Sequence, residues 1–421
     1  MHSLEIKKGI KLHIIKTNKF KTNLISVFLT TKLSQNTITM NALIPAILRR
    51  GNSKLRTQEE ISKALEEMYG ASFDCGVDKI GNNQVIKFYL ETINNRYIED
   101  NEDNFKKALD LIFDIAFNPL TESGKFNRIY LENEKDNLRK VIEGRKDSKA
   151  SYALERCIEE MYKNNPYALY KYGNIKDIEK IDEIKLYRQY LNLINNCKID
   201  IYISGQKLEE VKEYIMSNEN IKKLQERTPE FILNNIENRK KNKKQEQTIE
   251  ESMDITQGKL VLGLDILDEK ENDKYTALVY NAILGGTPNS KMFQNVREKK
   301  SLAYTASSSF LRQKANIFIR CGIEINNYKK AVKLIKEQIE DMKKGEFSEE
   351  DITQAKNNIC SAIKMIPEEQ DSELIYYFSQ ELSGNEMKYK EYINNINSVN
   401  KQKIIDLANK IQINTVYFLR N

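Results

Sequence analysis

The apolar residues of this chain follow two spacings, and each spacing predicts one type of secondary structure. A spacing of three to four residues, typical of an amphipathic helix, occurs in two long runs. The positions that carry it are Phe105, Ala108, Leu109, Ile112, Phe113 and Ala116 in the first run, and Tyr328, Ala331, Ile335, Ile339 and Met342 in the second. Ile319, Cys321 and Ile323 alternate instead, which predicts a strand with one buried face.

These elements recur in the same order, which indicates an internal duplication. The tripeptide Ile-Asn-Asn stands at 93–95 and again at 325–327, and a predicted helix follows it each time. Helix-capping patterns begin at Thr57 and at Ser348. Short β-prone runs at 199–204 and 415–420 close the two halves. Runs of strands followed by helices predict an α+β fold with two homologous domains, each a mostly antiparallel sheet with helices packed on one side.

The boundary between the halves is predicted in a polar segment, residues 225–252. Five of the six residues of its run RKKNKK (239–244) are charged and no aromatic residue is interleaved. Charge runs of this kind are typical of solvated linkers, so the run is not expected to contribute to a core. The predicted organisation is an N-terminal domain at 1–224, a linker at 225–252 and a C-terminal domain at 253–421.

Composition narrows the class of protein. A chain of 421 residues is long enough for two domains. Its longest apolar run, LISVFL at 24–29, is far shorter than the roughly 18 residues of a membrane span. The N-terminus lacks an apolar signal segment, so a cytoplasmic location without a membrane partner is expected. The five cysteines are scattered and never spaced as CxxC, which favours reduced thiols over disulfides or a zinc ribbon.

The charge balance argues against a nucleic-acid partner. Lys and Arg number 67 against 61 Asp and Glu, which gives a net charge of only +6. A protein dedicated to nucleic acid is expected to carry a clustered basic face. A function near translation therefore rests on mild basicity alone, and a failure to bind RNA at about 0.15 M salt would exclude it.

One segment of the second half carries the most specific pattern. The stretch LGGTPNSKMFQNVREKKSLAYTASSSF (284–310) resembles the signature of the pitrilysin/insulinase-like zinc metallopeptidases, in the half-length form of mitochondrial processing peptidase. The resemblance covers nearly the whole chain. Active members carry His-x-x-Glu-His in the first domain, where two His hold zinc and the Glu activates its water.

In this chain the matching stretch, ALIPAILRRG, lacks that motif. Ala42 and Ala46 stand at the two His positions and Pro45 at the Glu position, and the downstream third ligand falls near Val141. None of these side chains coordinates a metal. The only histidines, His2 and His13, lie outside any ligand pattern.

The stretch 40–50 reads instead as a plain apolar helix. Its apolar face is predicted at Met40, Leu43, Ile44, Ile47 and Leu48, with Pro45 placed within the first turn, where proline is tolerated. We therefore expect neither a metal nor a cofactor on this chain, and no catalysis by it alone.

What remains of the family pattern is a pair of polar residues. Arg297 and Tyr304 match residues that, in the family, reach substrate carbonyls and the developing oxyanion, and Gly285–Gly286 match the glycine turn beside them. An alternative reading makes Arg297 a surface ion pair, for instance with neighbours of Glu298, and packs Tyr304 at a helix end. The corresponding first-half stretch has no such pair.

The resemblance implies a non-catalytic, peptide-binding subunit of a heteromeric zinc metallopeptidase. Arg297 and Tyr304 would act in trans on a partner that bears HxxEH and the zinc, and an extended peptide would pair with a sheet edge near 71–77. A homodimer is expected when the chain is purified alone. The chain is also similar to the inactive-type bacterial subunit linked to 5-aminopentanol modification of elongation factor P. The alternative is a pseudoenzyme scaffold or peptide-capture module without a role in hydrolysis.

Overall fold

The computed structural model describes residues 1–99, 103–206, 208, 210–237, 241, 243, 245–298 and 302–421. Its strands are β1 His2–Lys7, β2 Ile10–Lys16, β3 Thr22–Lys32, β4 Ser72–Ile80, β5 Asn83–Ile93, β6 Lys198–Gly205, β7 Gln247–Ser252, β8 Gly258–Ile266, β9 Ala303–Leu311, β10 Asn316–Ile323 and β11 Ile411–Arg420. Its α-helices are α1 Ile38–Leu48, α2 Gln58–Glu67, α3 Asn104–Phe117, α4 Arg128–Glu143, α5 Lys149–Met161, α6 Ile175–Ile178, α7 Glu183–Asn196, α8 Val211–Ser217, α9 Glu219–Lys223, α10 Asp273–Asn281, α11 Tyr328–Lys344, α12 Glu349–Met365, α13 Gln370–Glu381, α14 Tyr389–Asn397 and α15 Lys401–Lys410. Segments Ala282–Gly286 and Met292–Glu298 are π-helical.

Two sheets repeat one topology. The first has the strand order β1-β2-β6-β3-β5-β4 and the second β7-β11-β8-β10-β9. In both, the pair formed by an early strand and the closing strand is parallel (β2 with β6, β7 with β11), and the remaining pairs are antiparallel. Among the strands of the described residues, β1, added beside β2, has no counterpart in the second sheet. The duplication and the α+β class are therefore confirmed.

Local sequence signals set the helix boundaries as expected. Thr57 and Ser348 both form capping boxes, with Glu60 and Asp351 at the third helical position. The apolar positions predicted for α3 and α11 are buried, apart from Tyr328, which stacks on Phe418 of β11 at a ring distance of 4.4 Å. Each sheet thus buries one face against the helices of its own half.

The chain divides into two compact units that exchange segments. Unit 1 comprises 1–144, 169–232 and 368–376, and unit 2 comprises 145–168, 233–367 and 377–421. The sequence-based boundaries differ, because they assign 145–168 to the N-terminal domain and 368–376 to the C-terminal one. The exchange is reciprocal, since each half of the chain completes the unit built mainly by the other.

Helix α5 completes unit 2. Its buried face, Tyr152, Ala153, Cys157 and Met161, packs on Val261, Phe318, Tyr417 and Leu419 of the second sheet. Side chains alternate along strands, so this face lies opposite the one that Phe418 turns toward α11. Glu251 of β7 fixes the helix from the side: it accepts hydrogen bonds from Tyr152 (2.6 Å), Arg156 (3.0 Å) and Tyr417 (2.7 Å).

The start of α13 completes unit 1 in the same way. Gln370 Nε2 donates to the carbonyl of Ser204 on β6 at 2.8 Å, and the hydroxyl of Thr22 donates to Gln370 Oε1 at 3.2 Å. Gln370 and Ser204 are both buried. A segment after α4 and a segment after α12 therefore each pack on the sheet face opposite the other helices, α5 on the second sheet and Gln370 against Ser204 on the first.

The basic run of the presumed linker is only partly described, and one residue corrects the expectation for it. Residues 239, 240, 242 and 244 lie outside the described residues. Lys241 is nearly buried, forms an ion pair with the buried Asp265 at 2.9 Å and donates to the carbonyl of Ala315 at 2.8 Å. The expectation that nothing in the run contributes to a core is wrong at Lys241, because an ion pair lets a charged head group enter it.

Two further observations concern the whole described chain. The five cysteines are free, and Cys321 is buried on β10 as its alternation predicts. Among the helices of the described ranges, none combines the length and the apolar character that crossing a membrane requires.

Candidate functional site

Helix α1, at the place of the lost zinc motif, is buried on every side. Ten of its eleven residues are buried, and only Ala46 is partly exposed. The predicted apolar positions Met40, Leu43, Ile44, Ile47 and Leu48 are all buried, as is Ala42. Its polar residues Thr39 and Asn41 are buried as well, and Asn41 is hydrogen-bonded to Gln84 and Gln189, so α1 presents no exposed polar face.

The placement of Pro45 in the first turn of this helix is wrong. The helix begins at Ile38 and continues to Leu48, so Pro45 lies in its second half. The helix starts earlier than the apolar pattern suggests, because the turn at Ser34 already bonds to the N–H of Ile38. The missing N–H of Pro45 removes the bond to the carbonyl of Asn41. The following turn is regular, with the N–H of Arg49 bonded to the Pro45 carbonyl at 3.2 Å.

Two neighbours contact the segment that carries the degenerate motif. Cys75 of β4 donates its thiol to the Pro45 carbonyl at 3.3 Å, and burial raises the pKa of this thiol to about 12. Glu134 of α4 is buried in an ion pair with Arg50, just past the helix end. Both groups are engaged locally, and the protonated thiol is a poor metal ligand.

The remaining metal-site position is equally unsuited to zinc. Val141 lies on α4 with 45% of its side chain exposed. His2 is exposed on β1. His13 is buried on β2, where its Nδ1 lies 2.8 Å from the hydroxyl oxygen of Ser3 and its Nε2 lies 3.2 Å from a carboxylate oxygen of Asp200. Across the described ranges, no group of three His, Cys, Asp or Glu side chains is arranged to hold a metal. The residues at the matched positions therefore do not fit zinc.

The glycine turn serves close packing. A Cβ on Gly285 would lie 2.6 Å from the backbone nitrogen of Ser308, and one on Gly286 would lie 2.7 Å from Nδ2 of Asn281. The hydroxyl of Ser308 donates to the side-chain oxygen of Asn281 at 2.8 Å, which ties β9 to the end of α10. Gly285 thus lets β9 approach the π-helical turn that precedes the Arg297 segment.

Arg297 and Tyr304 are both accessible. Arg297 is the last but one residue of the π-helical segment 292–298, lies over the ring of Phe293 at 4.6 Å and pairs with Glu298 at 3.5 Å. Tyr304 lies at the start of β9 with 58% of its surface exposed, and its hydroxyl reaches Glu324 at 3.4 Å. Residues 299–301 between them lie outside the described residues. Arg297 does form a surface ion pair, whereas Tyr304 begins a strand instead of packing at a helix end.

The strand expected to receive a peptide lies at a sheet edge. Strand β4 pairs only with β5, in unbroken register from Ser72 to Ile80. Within the described chain, residues 72–78 form no backbone hydrogen bond on their outer side. Only the far end is approached, where Lys79 donates to the carbonyl of Leu169 and Asp78 pairs with Lys171. A bulge-free edge of this kind is a template for another strand.

The charges along this strand were missed by the sequence reasoning. Asp74, Gly76 and Asp78 alternate with Phe73, Cys75 and Val77, which pack against the helices. The alternation in SFDCGVDKI is the signal that could have revealed them, since a period of two separates the faces of a strand.

Comparisons with known proteins agree with this picture. A family model described as "Peptidase M16 inactive domain" matches residues 151–359. The chain is 35% identical over 418 residues to the probable inactive metalloprotease YmfF of Bacillus subtilis (strain 168). The alignment covers 98% of this chain and 96% of that protein.

Solved structures are similar along the full length. A conserved protein from Enterococcus faecalis V583 superposes with a TM-score of 0.89 at 27% identity, covering 100% of this chain and 98% of that one. A peptidase M16 inactive domain from Pseudomonas fluorescens gives a TM-score of 0.80 at 14% identity, covering 100% and 98%. The second likeness concerns the fold alone.

Proposed function

Because the chain belongs to the peptidase M16 inactive-domain family, we propose that it is a non-catalytic subunit of a heteromeric zinc metallopeptidase. In the cytoplasm it binds an extended peptide and supplies Arg297 and Tyr304 in trans to a partner that bears HxxEH and the zinc. When the partner is absent, the purified chain forms a homodimer instead.

One contrast carries this proposal. The helix that would hold zinc is closed into the core, with ten of eleven residues buried, while Arg297 and Tyr304 remain accessible. Exposure leaves the phenol and the guanidinium available to a substrate, whereas burial leaves α1 unavailable to a metal. The contrast supports a division of labour in which this chain orients the substrate and another chain cleaves it.

The two side chains suit the roles. A guanidinium is always charged and offers five donors, so it can hold a peptide carbonyl at any physiological pH. A phenol donates one hydrogen bond, and donors aimed at a developing oxyanion stabilise it. The present contacts of both side chains are exposed and weak. Arg297 has a 3.5 Å ion pair with Glu298 and lies 4.6 Å from the Phe293 ring, and Tyr304 has a 3.4 Å contact with Glu324. Little free energy is therefore lost when either side chain turns toward a substrate.

Strand β4 provides the peptide-binding element. Its free outer edge offers main-chain donors and acceptors along Ser72–Asp78, and an added strand would satisfy them regardless of sequence.

A second candidate is a peptide-capture module without a role in hydrolysis. The observation that favours it is that Arg297 already has local partners, Glu298 and the ring of Phe293. Under this alternative, Arg297→Ala and Tyr304→Phe leave the function intact, and changes along β4 abolish it.

The decisive experiment is peptide hydrolysis by this chain mixed with an HxxEH-bearing relative from the same genome. The proposal predicts activity in the mixture well above that of the partner alone, with a fall of about tenfold or more for Tyr304→Phe. Tyr97→Phe, at another exposed tyrosine, is the matched control and should leave the rate unchanged. A mixture no faster than the partner alone would refute the subunit role and leave the capture module.

A further inference from the structure

The open face beside strand β4 is lined by carboxylates. Side chains at 72, 74, 76 and 78 project away from the helices, because Phe73, Cys75 and Val77 pack into the helical core. The register places Glu91 of β5 opposite Ser72 and Tyr89 opposite Asp74. Asp74 and Glu91 are both exposed on this face.

Most of these carboxylates are not neutralised. Among the described residues, Asp74 and Glu91 form no ion pair. The same holds for Asp371 at the start of α13, whose charge acts on Tyr89 of this face. Asp78, by contrast, pairs with Lys87 at 2.5 Å and with Lys171 at 2.9 Å. The four carboxylates thus exceed the two lysines by two negative charges.

The phenol of Tyr89 supports their proximity. Burial raises its pKa, and the charges of Asp78, Asp371 and Asp74 raise it further. Asp74 and Asp78 thus share this face with the phenol of Tyr89, and Asp371 lies close enough to act on the same phenol.

We infer that the strand added to β4 is a cationic peptide with Lys or Arg at alternate positions. This inference rests on the proposed peptide-binding function. Alternate side chains of an added strand fall on one face, so basic residues two apart would all meet the face of Asp74 and Glu91. A second copy of this chain would bring Asp74 against the same carboxylates, and like charges disfavour that pairing.

Gly76 offers a substitution that tests the charge without disturbing the fold. A Cβ at this position meets nothing within 4 Å, and Gly76 is not among the residues with positive φ. Gly76→Lys therefore places one positive charge between Asp74 and Asp78, opposite Lys87 of β5. Gly76→Gln adds a neutral chain of similar reach and is the matched control. Exposed pairs contribute up to about 1 kcal/mol, so each charge change should alter affinity by about fivefold.

The experiment uses fluorescence anisotropy with three labelled nonapeptides in which Thr alternates with Lys, with Gln or with Glu. We expect the Lys peptide to bind the wild-type protein more tightly than the other two peptides. Its affinity should fall about fivefold for the Gly76→Lys variant and for the Asp74→Asn variant, and should stay unchanged for Gly76→Gln. Its advantage over the Gln peptide should fade in about 0.5 M salt. Equal binding of all three peptides would overturn this inference and leave the peptide-binding function standing. Binding of none of them would overturn both.

Discussion

Glu251 holds the exchanged helix α5 on the second sheet, and replacing it tests how that helix is retained. Glu251→Gln keeps the shape of the side chain but removes its charge and one acceptor oxygen. Three donors, Tyr152, Arg156 and Tyr417, then share a neutral amide. Hydrogen bonds to a charged group contribute about 1.5–3 kcal/mol each and neutral ones about half as much, so the net loss of unfolding free energy for unit 2 should be about 2 kcal/mol.

The loss should depend on pH in a defined direction. Burial alone would raise the pKa of Glu251, but hydrogen bonds from Tyr152, Tyr417 and Arg156 outweigh it and hold the pKa below its ordinary 4.5. A carboxyl whose pKa is lower in the folded than in the unfolded protein stabilises the fold fully when the pH is above its unfolded pKa. This contribution is lost as the pH falls through its folded pKa. The difference between wild type and Glu251→Gln should therefore be full at pH 7 and shrink below about pH 4.5.

The assay is thermal unfolding of both proteins across this pH range, with Glu250→Gln as the matched control. Glu250 is the neighbouring residue on β7, and its ion pair with Arg420 is largely exposed, so its loss should cost no more than about 1 kcal/mol. Two results would refute the reasoning: an equal cost for the two substitutions at pH 7, or a penalty for Glu251→Gln that grows in acid.

Two further substitutions probe the second unit. Lys241→Met leaves the buried carboxylate of Asp265 without its cation and should lower the unfolding free energy by about 3 kcal/mol, whereas Lys243→Met, at an exposed position, should change it by less than about 0.5 kcal/mol in urea unfolding. Gly263→Val should loosen the packing of α5 on the second sheet, because a Cβ at this position would lie 2.8 Å from the sulfur of Met161. Backbone amides of residues 149–161 should then exchange hydrogen faster than in the wild type, and unchanged protection of these amides would contradict the packing described.

The repeated topology was predictable because it depends on local spacing. The capping boxes at Thr57 and Ser348 and the periodic faces of α3 and α11 are each written within one turn or one helix. The exchange of 145–168 was not predictable in this way. The pattern of Tyr152 and Cys157 states that α5 has a buried face, but it cannot state which sheet covers that face. Long-range choices of this kind depend on tertiary packing.

The candidate site divides along the same line. The replacement of the zinc ligands could be predicted because Ala42, Pro45 and Ala46 lack donor atoms in any fold. The depth at which α1 is buried could not, since its start at Ile38 depends on the preceding turn. Lys241 shows the converse error, because a charge run predicts solvent exposure and only the position of Asp265 reveals the exception.

The reciprocal exchange has a consequence for how this protein is made. Residues 368–376 leave the ribosome after nearly nine tenths of the chain, so Ser204 and its neighbours on the first sheet stay uncovered through most of synthesis. Residues 145–168, by contrast, are made before any strand of the sheet on which they pack. A single protease cut between 232 and 245 would leave each unit assembled from pieces of both fragments. The two fragments are therefore expected to stay associated without a covalent link after cleavage. They are also expected to complement each other when they are expressed as separate polypeptides.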